Sequence, residues 1–119
     1  MHALIIEDES LIAMSIEQIL SDCGFTSFDV ASSCDEAVRA AERRCPDLIT
    51  ADCQLCPGSG IDAVNAICSS TPVPVIFITA TPTEVVSQMP NHPLIVKPFS
   101  SEEVVSAVNS AMADRQKPK

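Results

Sequence analysis

Four short apolar runs set the limits on how this chain can fold. They are ALII (3–6), LITA (48–51), VIFI (75–78) and LIV (94–96). A strand with one wet face alternates apolar and polar residues, whereas these runs are close to continuous, as strands of a parallel sheet covered on both faces are. A weaker alternating run, FDV (28–30), suits an edge strand. Between the runs, apolar residues recur at helical spacing: Ile12, Ile16, Ile19 and Cys23; Val38, Ala41 and Cys45; Ile61, Val64 and Cys68; Val104, Val108 and Ala111. Ser33 with Glu36, and Ser100 with Glu103, have the spacing of capping boxes. Gly24 stands where a helix-ending glycine belongs. Strand followed by helix, five times over, predicts an α/β fold: a doubly wound, five-stranded parallel sheet with helices on both faces. Residues 1–113 read as one domain, and 114–119 (DRQKPK) as a polar C-terminal tail.

Composition narrows the partners. The net charge is −9, with 7 Lys and Arg against 16 Asp and Glu, which argues against nucleic acid as a ligand. No apolar run has the length of a membrane span, and no basic amphipathic stretch suggests a membrane surface. The N-terminal HALII is too short for a signal-peptide core and runs straight into EDE, so a cytoplasmic location is expected. In that reducing compartment the six cysteines are expected to be free thiols.

In an open parallel sheet, sites form beyond the carboxyl ends of the strands, at the switch point. The residues just past the predicted strands are Glu7, Asp8 and Glu9 after the first, Asp52 after the third, Thr79 and Ala80 after the fourth, and Lys97 and Pro98 after the fifth. Taken singly, each has a plain explanation. An acidic triplet suits a helix start, an Asp suits a turn, and a Thr or a Lys-Pro at a strand end says little. Gathered on one sheet edge they have a common chemistry. Packed carboxylates repel, and a hard divalent cation such as Mg²⁺ removes the conflict. A lysine balances further anionic oxygens, a threonine hydroxyl donates one hydrogen bond, and one carboxylate can serve as nucleophile toward a phosphoryl group.

The segments LIIEDES (4–10), LITADCQLCPGSGIDAV (48–64), PVIFITA (74–80) and LIVKPFS (94–100) together resemble the receiver domain of two-component response regulators, over almost the whole chain. The resemblance implies a flavodoxin-like topology and a signalling module rather than a turnover enzyme. By the same resemblance Asp52 is the phosphoacceptor, Glu7 and Asp8 form the acidic Mg²⁺ pocket, and the backbone carbonyl of Gln54 completes the metal shell. Thr79 is then the switch hydroxyl, Lys97 the phosphoryl-pairing lysine, and Lys97–Pro98 a cis bond. The implied partners are a histidine kinase or phosphotransfer protein and a downstream protein, with the chain a monomer or weak homodimer. In wording the segments are similar to the receiver half of alphaproteobacterial general-stress regulators, which carry a sigma-factor-like domain ahead of the receiver. A chain of 119 residues has no room for that domain, so it reads as a stand-alone receiver or one cut from a longer protein.

Three departures from the pattern stand out. Leu94 occupies the position where the family often has an aromatic switch residue. Pro82, Pro90 and Pro93 restrict the helix between Thr79 and Lys97, which should be short, over about residues 83–89. Cys53 and Cys56 form a Cys-x-x-Cys beside the acceptor. A redox role competes there with plain packing, but Asp52, Asp8 and Glu7 disfavour a thiolate, and the isolated His2 and His92 complete no zinc site. The other four cysteines (23, 34, 45 and 68) read as core. The rival to phosphotransfer is a degenerate or redox-modulated receiver that binds a protein constitutively. A dehalogenase-type phosphatase would need an acid where Gln54 stands. A flavin- or phosphate-binding module would need a small-residue loop where EDES stands.

Overall fold

A computed structural model describes residues 1–55, 59–89 and 92–116. The chain runs β1 (His2–Ile6), α1 (Ser10–Asp22), β2 (Ser27–Ala31), α2 (Cys34–Arg43), β3 (Leu48–Ala51), α3 (Gly60–Cys68), β4 (Val75–Thr79), α4 (Pro82–Gln88), β5 (Leu94–Val96) and α5 (Ser101–Gln116). The five strands form one parallel sheet in the order β2-β1-β3-β4-β5. The expected doubly wound architecture is present, and its switch point lies between β1 and β3.

Strand alternation divides the core in two. Leu4, Ile6, Ile49, Ala51, Val75 and Phe77 turn to one face, where α2, α3 and Val85 of α4 cover them. Ala3, Ile5, Leu48, Ile76 and Ile78 turn to the other, beneath α1 and α5. Period-two alternation therefore exists within runs that look uniformly apolar, because both faces are dry. β2 is an edge strand, as β5 is at the other side, and Val30 on β2 is half exposed.

The helix ends follow the predicted chemistry. Ser33 accepts the Glu36 N–H at 3.2 Å. At α5 the box closes both ways: Glu103 N donates to Ser100 Oγ, and Ser100 N donates to a Glu103 carboxylate oxygen, each at 3.2 Å. Gly24 follows α1 at φ +102°, a conformation that a residue with a Cβ rarely takes.

Four expectations need correction. α2 buries Ala37 and Ala40, not the Val38–Ala41–Cys45 stripe, which lies to the side of them. Cys45 falls past the helix and is exposed, while Cys23, Cys34 and Cys68 are only partly buried and pack against the two core clusters rather than inside them. α4 starts at Pro82 rather than after it, because proline at the first helical position gives up an N–H that has no helical partner anyway. The last helix extends through Gln116, past residue 113. Cys56, Pro57, Gly58, Pro90, Asn91 and residues 117–119 lie outside the described residues, so the expectations made for Cys56 and Pro90 cannot be placed.

Candidate functional site

The sheet register brings the strand-end residues together. Ile6 pairs with Ala51, Ala51 with Phe77, and Thr79 with Val96, so Glu7, Asp52, Thr79 and Lys97 emerge along the same edge. Backbone bonds fix them there: Asp52 N donates to Ile6 O at 2.9 Å, and Lys97 N to Thr79 O at 2.8 Å. The Lys97–Pro98 peptide is cis. The first residue of α3 lies close against the backbone at Asp52 and Cys53. Gly60 N donates to Cys53 O at 3.1 Å, and a Cβ on Gly60 would collide with the Asp52 carbonyl oxygen. Only glycine allows α3 to close this near the acid.

Carboxylate oxygens of Glu7, Asp8 and Asp52 lie within 4.8 Å of one another. Glu7 and Asp52 are buried and Asp8 is exposed. Lys97 binds both buried acids, with Nζ 2.6 Å from Glu7 and 2.8 Å from Asp52. The second oxygen of Glu7 accepts the Glu9 N–H at 3.2 Å, and the second of Asp52 accepts the Gln54 N–H at 3.2 Å. Burial pushes the Glu7 carboxyl above its usual range, and the bonds from Lys97 and Glu9 offset this only in part. Burial also disfavours the charged Lys97 amine, but its bonds to Asp52 and Glu7 and their charges outweigh that, so its pKa lies above the ordinary 10.5.

An open cleft of about 280 Å³ lies over the group, lined by Asp8, Asp52, Gln54, Thr79, Ala80 and Lys97 among others. The oxygen-rich donor set, two buried acids and one exposed, suits a hard divalent cation. Exposed Ala80 leaves the approach to Asp52 unobstructed by a large side chain.

The structure thus brings Glu7, Asp8, Asp52, Thr79 and Lys97 into one site, with Gln54 at its rim. It adds what the motifs did not show. Cys53 is buried on the α3/α4 face, and its Sγ lies 3.1 Å from the hydroxyls of both Thr79 and Thr81. The signal was there in the register: Ala51 opposite Phe77 places Cys53 opposite Thr79 two residues on. Leu94, at the position where the family often has an aromatic, is partly buried against the same cluster.

An acidic cleft at the switch point of a 2-1-3-4-5 parallel sheet, with a lysine bridging two buried acids, defines a receiver-type signalling module. The chain belongs to the response regulator receiver domain family, whose model matches residues 3–109. It is 44% identical over 117 residues to the phyllosphere-induced regulator PhyR of Methylorubrum extorquens, covering 95% of this chain and 44% of that protein. It is 32% identical over 116 residues to the transcriptional regulatory protein PdtaR of Mycobacterium tuberculosis, covering 94% of this chain and 57% of that protein. Among solved structures it superposes on the PhyR receiver domain of Erythrobacter litoralis with a TM-score of 0.89 at 36% identity, covering 99% of this chain and 94% of that one. The anti-anti-sigma factor PhyR of Bartonella quintana gives 0.84 at 40% identity, over 97% of this chain and 48% of that one. The chain therefore spans about half the length of these full regulators. The chain is thus similar to PhyR stress regulators, and receivers of this kind are signalling modules rather than enzymes. Among the described residues no helix is long and apolar enough to cross a membrane.

Proposed function

We propose that this chain is a phosphoacceptor receiver in which Asp52 takes a phosphoryl group from the phosphohistidine of a histidine kinase or phosphotransfer protein. The observation that carries this reading is the Lys97 bridge to Asp52 and Glu7 at the floor of the acidic cleft. A bond forms between an Asp52 oxygen and phosphorus as the phosphorus–nitrogen bond to the donor imidazole breaks. Lys97 is placed to pass from the carboxylates to a phosphoryl oxygen, and Thr79 supplies a hydroxyl to another. Glu7, Asp8, Asp52 and the Gln54 carbonyl would hold Mg²⁺. When bound, Mg²⁺ neutralises phosphoryl oxygens and relieves the repulsion among the acids. Water later hydrolyses the acyl phosphate, and the surface changes between the two states.

The output we favour is a protein partner. The acidic net charge and the likeness to a regulator described as an anti-anti-sigma factor both support it. The redox rival finds less support, since Cys53 is buried and packed against two hydroxyls. The test is intact-mass spectrometry after incubation with acetyl phosphate and Mg²⁺. One phosphoryl adduct is expected, dependent on Mg²⁺ and lost in Asp52→Ala. An adduct that persists in Asp52→Ala overturns the assignment of the acceptor, and no adduct at all overturns the phosphotransfer reading.

A further inference from the structure

The Thr79 side chain is fully buried at the edge of the acidic cleft, and its hydroxyl is already engaged by Cys53 and Thr81 rather than by the acids. Its Oγ1 accepts the Thr81 N–H at 3.1 Å and lies 3.1 Å from Cys53 Sγ and 3.2 Å from Thr81 Oγ1. Cys53 Sγ closes the ring, at 3.1 Å from Thr81 Oγ1 and 3.5 Å from Thr81 O. Three side chains from two neighbouring strand ends thus satisfy one another, Cys53 and Thr79 buried and Thr81 partly exposed.

Thr81 is also the residue that precedes α4, where a threonine commonly caps the first turn. Here its side chain makes no capping bond. The hydroxyl that could start α4 is turned to Cys53 and Thr79 instead.

We infer that Cys53 is a positioning residue for the switch: with Thr81 it forms a latch that holds the Thr79 hydroxyl in its resting orientation. This rests on the phosphoacceptor reading given above. To donate to a phosphoryl oxygen on Asp52, the Thr79 hydroxyl must turn its one proton out of this ring, which loosens its contacts with Cys53 and the Thr81 hydroxyl and lets Thr81 turn toward α4. The thiol suits a light latch. Sulfur is a weak donor and a weak acceptor, so the hold is strong enough to bias the hydroxyl and weak enough to yield. A pocket that has Leu94 in place of an aromatic ring thereby keeps a route from the acid to α4.

The test measures binding of beryllofluoride, a phosphoryl mimic, in the presence of Mg²⁺, to the whole chain. Cys53→Ala deletes the sulfur and Cys53→Val deletes it while filling the space. Both are expected to tighten beryllofluoride binding about threefold to tenfold, the scale of one modest hydrogen bond. In a Thr79→Ala background the same substitutions should have no effect, since the hydroxyl they release is gone. Unchanged affinity in both variants overturns the latch, as does a change that persists in the Thr79→Ala background. Opposite effects of alanine and valine also overturn it, because packing volume alone would then be at work. If the folded wild type does not bind beryllofluoride, the phosphoacceptor reading itself fails, and the latch falls with it. That outcome is distinguished from the others by the wild type alone.

Discussion

Lys97 is held between two acids, and that position makes its charge part of the fold. Its side chain is only 10% exposed, and its partners Glu7 and Asp52 are still more deeply buried. Removing one member of a buried ion pair leaves charge uncompensated, so Lys97→Met is expected to cost about 3 kcal/mol at neutral pH. The pH dependence follows from the direction of its shift. Because its folded pKa lies above the ordinary 10.5, the contribution is complete below about pH 10.5 and lost as pH rises through the folded value. Urea denaturation from pH 8 to 11.5 should show the wild-type advantage over Lys97→Met shrinking only at the alkaline end. Thr50 gives the opposite case. It is buried in β3, and its hydroxyl has no hydrogen-bond partner among the described residues. Thr50→Val keeps the shape and removes the stranded group, and should stabilise by about 1 kcal/mol in the same assay. The strand-end residues of the site were legible because each directly follows an apolar run. The ring of Cys53, Thr79 and Thr81 was not, since it depends on which residues two strands place opposite each other, and no single motif carries that.

At the scale of elements, helix starts were easier to read than helix faces. Capping needs a fixed spacing of specific side chains, and both expected serines cap, although only the Ser100–Glu103 box closes both ways. Ser33→Ala and Ser100→Ala should each cost about 1 kcal/mol by denaturant midpoint, with m unchanged. Faces are harder because alanine hardly registers in an apolar pattern. α2 buries Ala37 and Ala40 because α3 packs close to it, whereas the larger Val38 lies to one side. The proline misreading has a similar origin: Pro82 looks like a breaker until its place at the first helical position is known. α4 is seven residues long, and Val85 is its one buried residue among those whose side chains are described. Its amides should therefore exchange faster than those of β1, β3 and β4. Equal protection across these elements would mean that α4 is anchored by more than its apolar contacts.

At the scale of the molecule, the sheet was legible from four apolar runs because parallel strands with both faces covered leave little other pattern to write. The fold then turns distant acids into one site, and the energetic consequence belongs to the whole chain. Three carboxylates within 4.8 Å oppose folding unless their charge is compensated, and Lys97 compensates only Glu7 and Asp52 directly. A cation that binds the folded cluster but not the unfolded chain must raise stability by linkage. At tenfold excess over its dissociation constant the gain is about 1.4 kcal/mol, which in a domain of this size raises Tm by about 5 °C. With a net charge of −9, any salt will also screen general repulsion, so NaCl at equal ionic strength is the control. Mg²⁺ should raise Tm beyond NaCl in the wild type and no further than NaCl in Asp8→Asn. Asp8 is the right residue to change because it is exposed, so its loss removes a charge from the cluster without opening the core. A Mg²⁺ effect that survives Asp8→Asn would place the binding acids elsewhere on this acidic surface. Equal effects of Mg²⁺ and NaCl on the wild type would mean that the cluster is held by Lys97 alone and has no specific affinity for the ion.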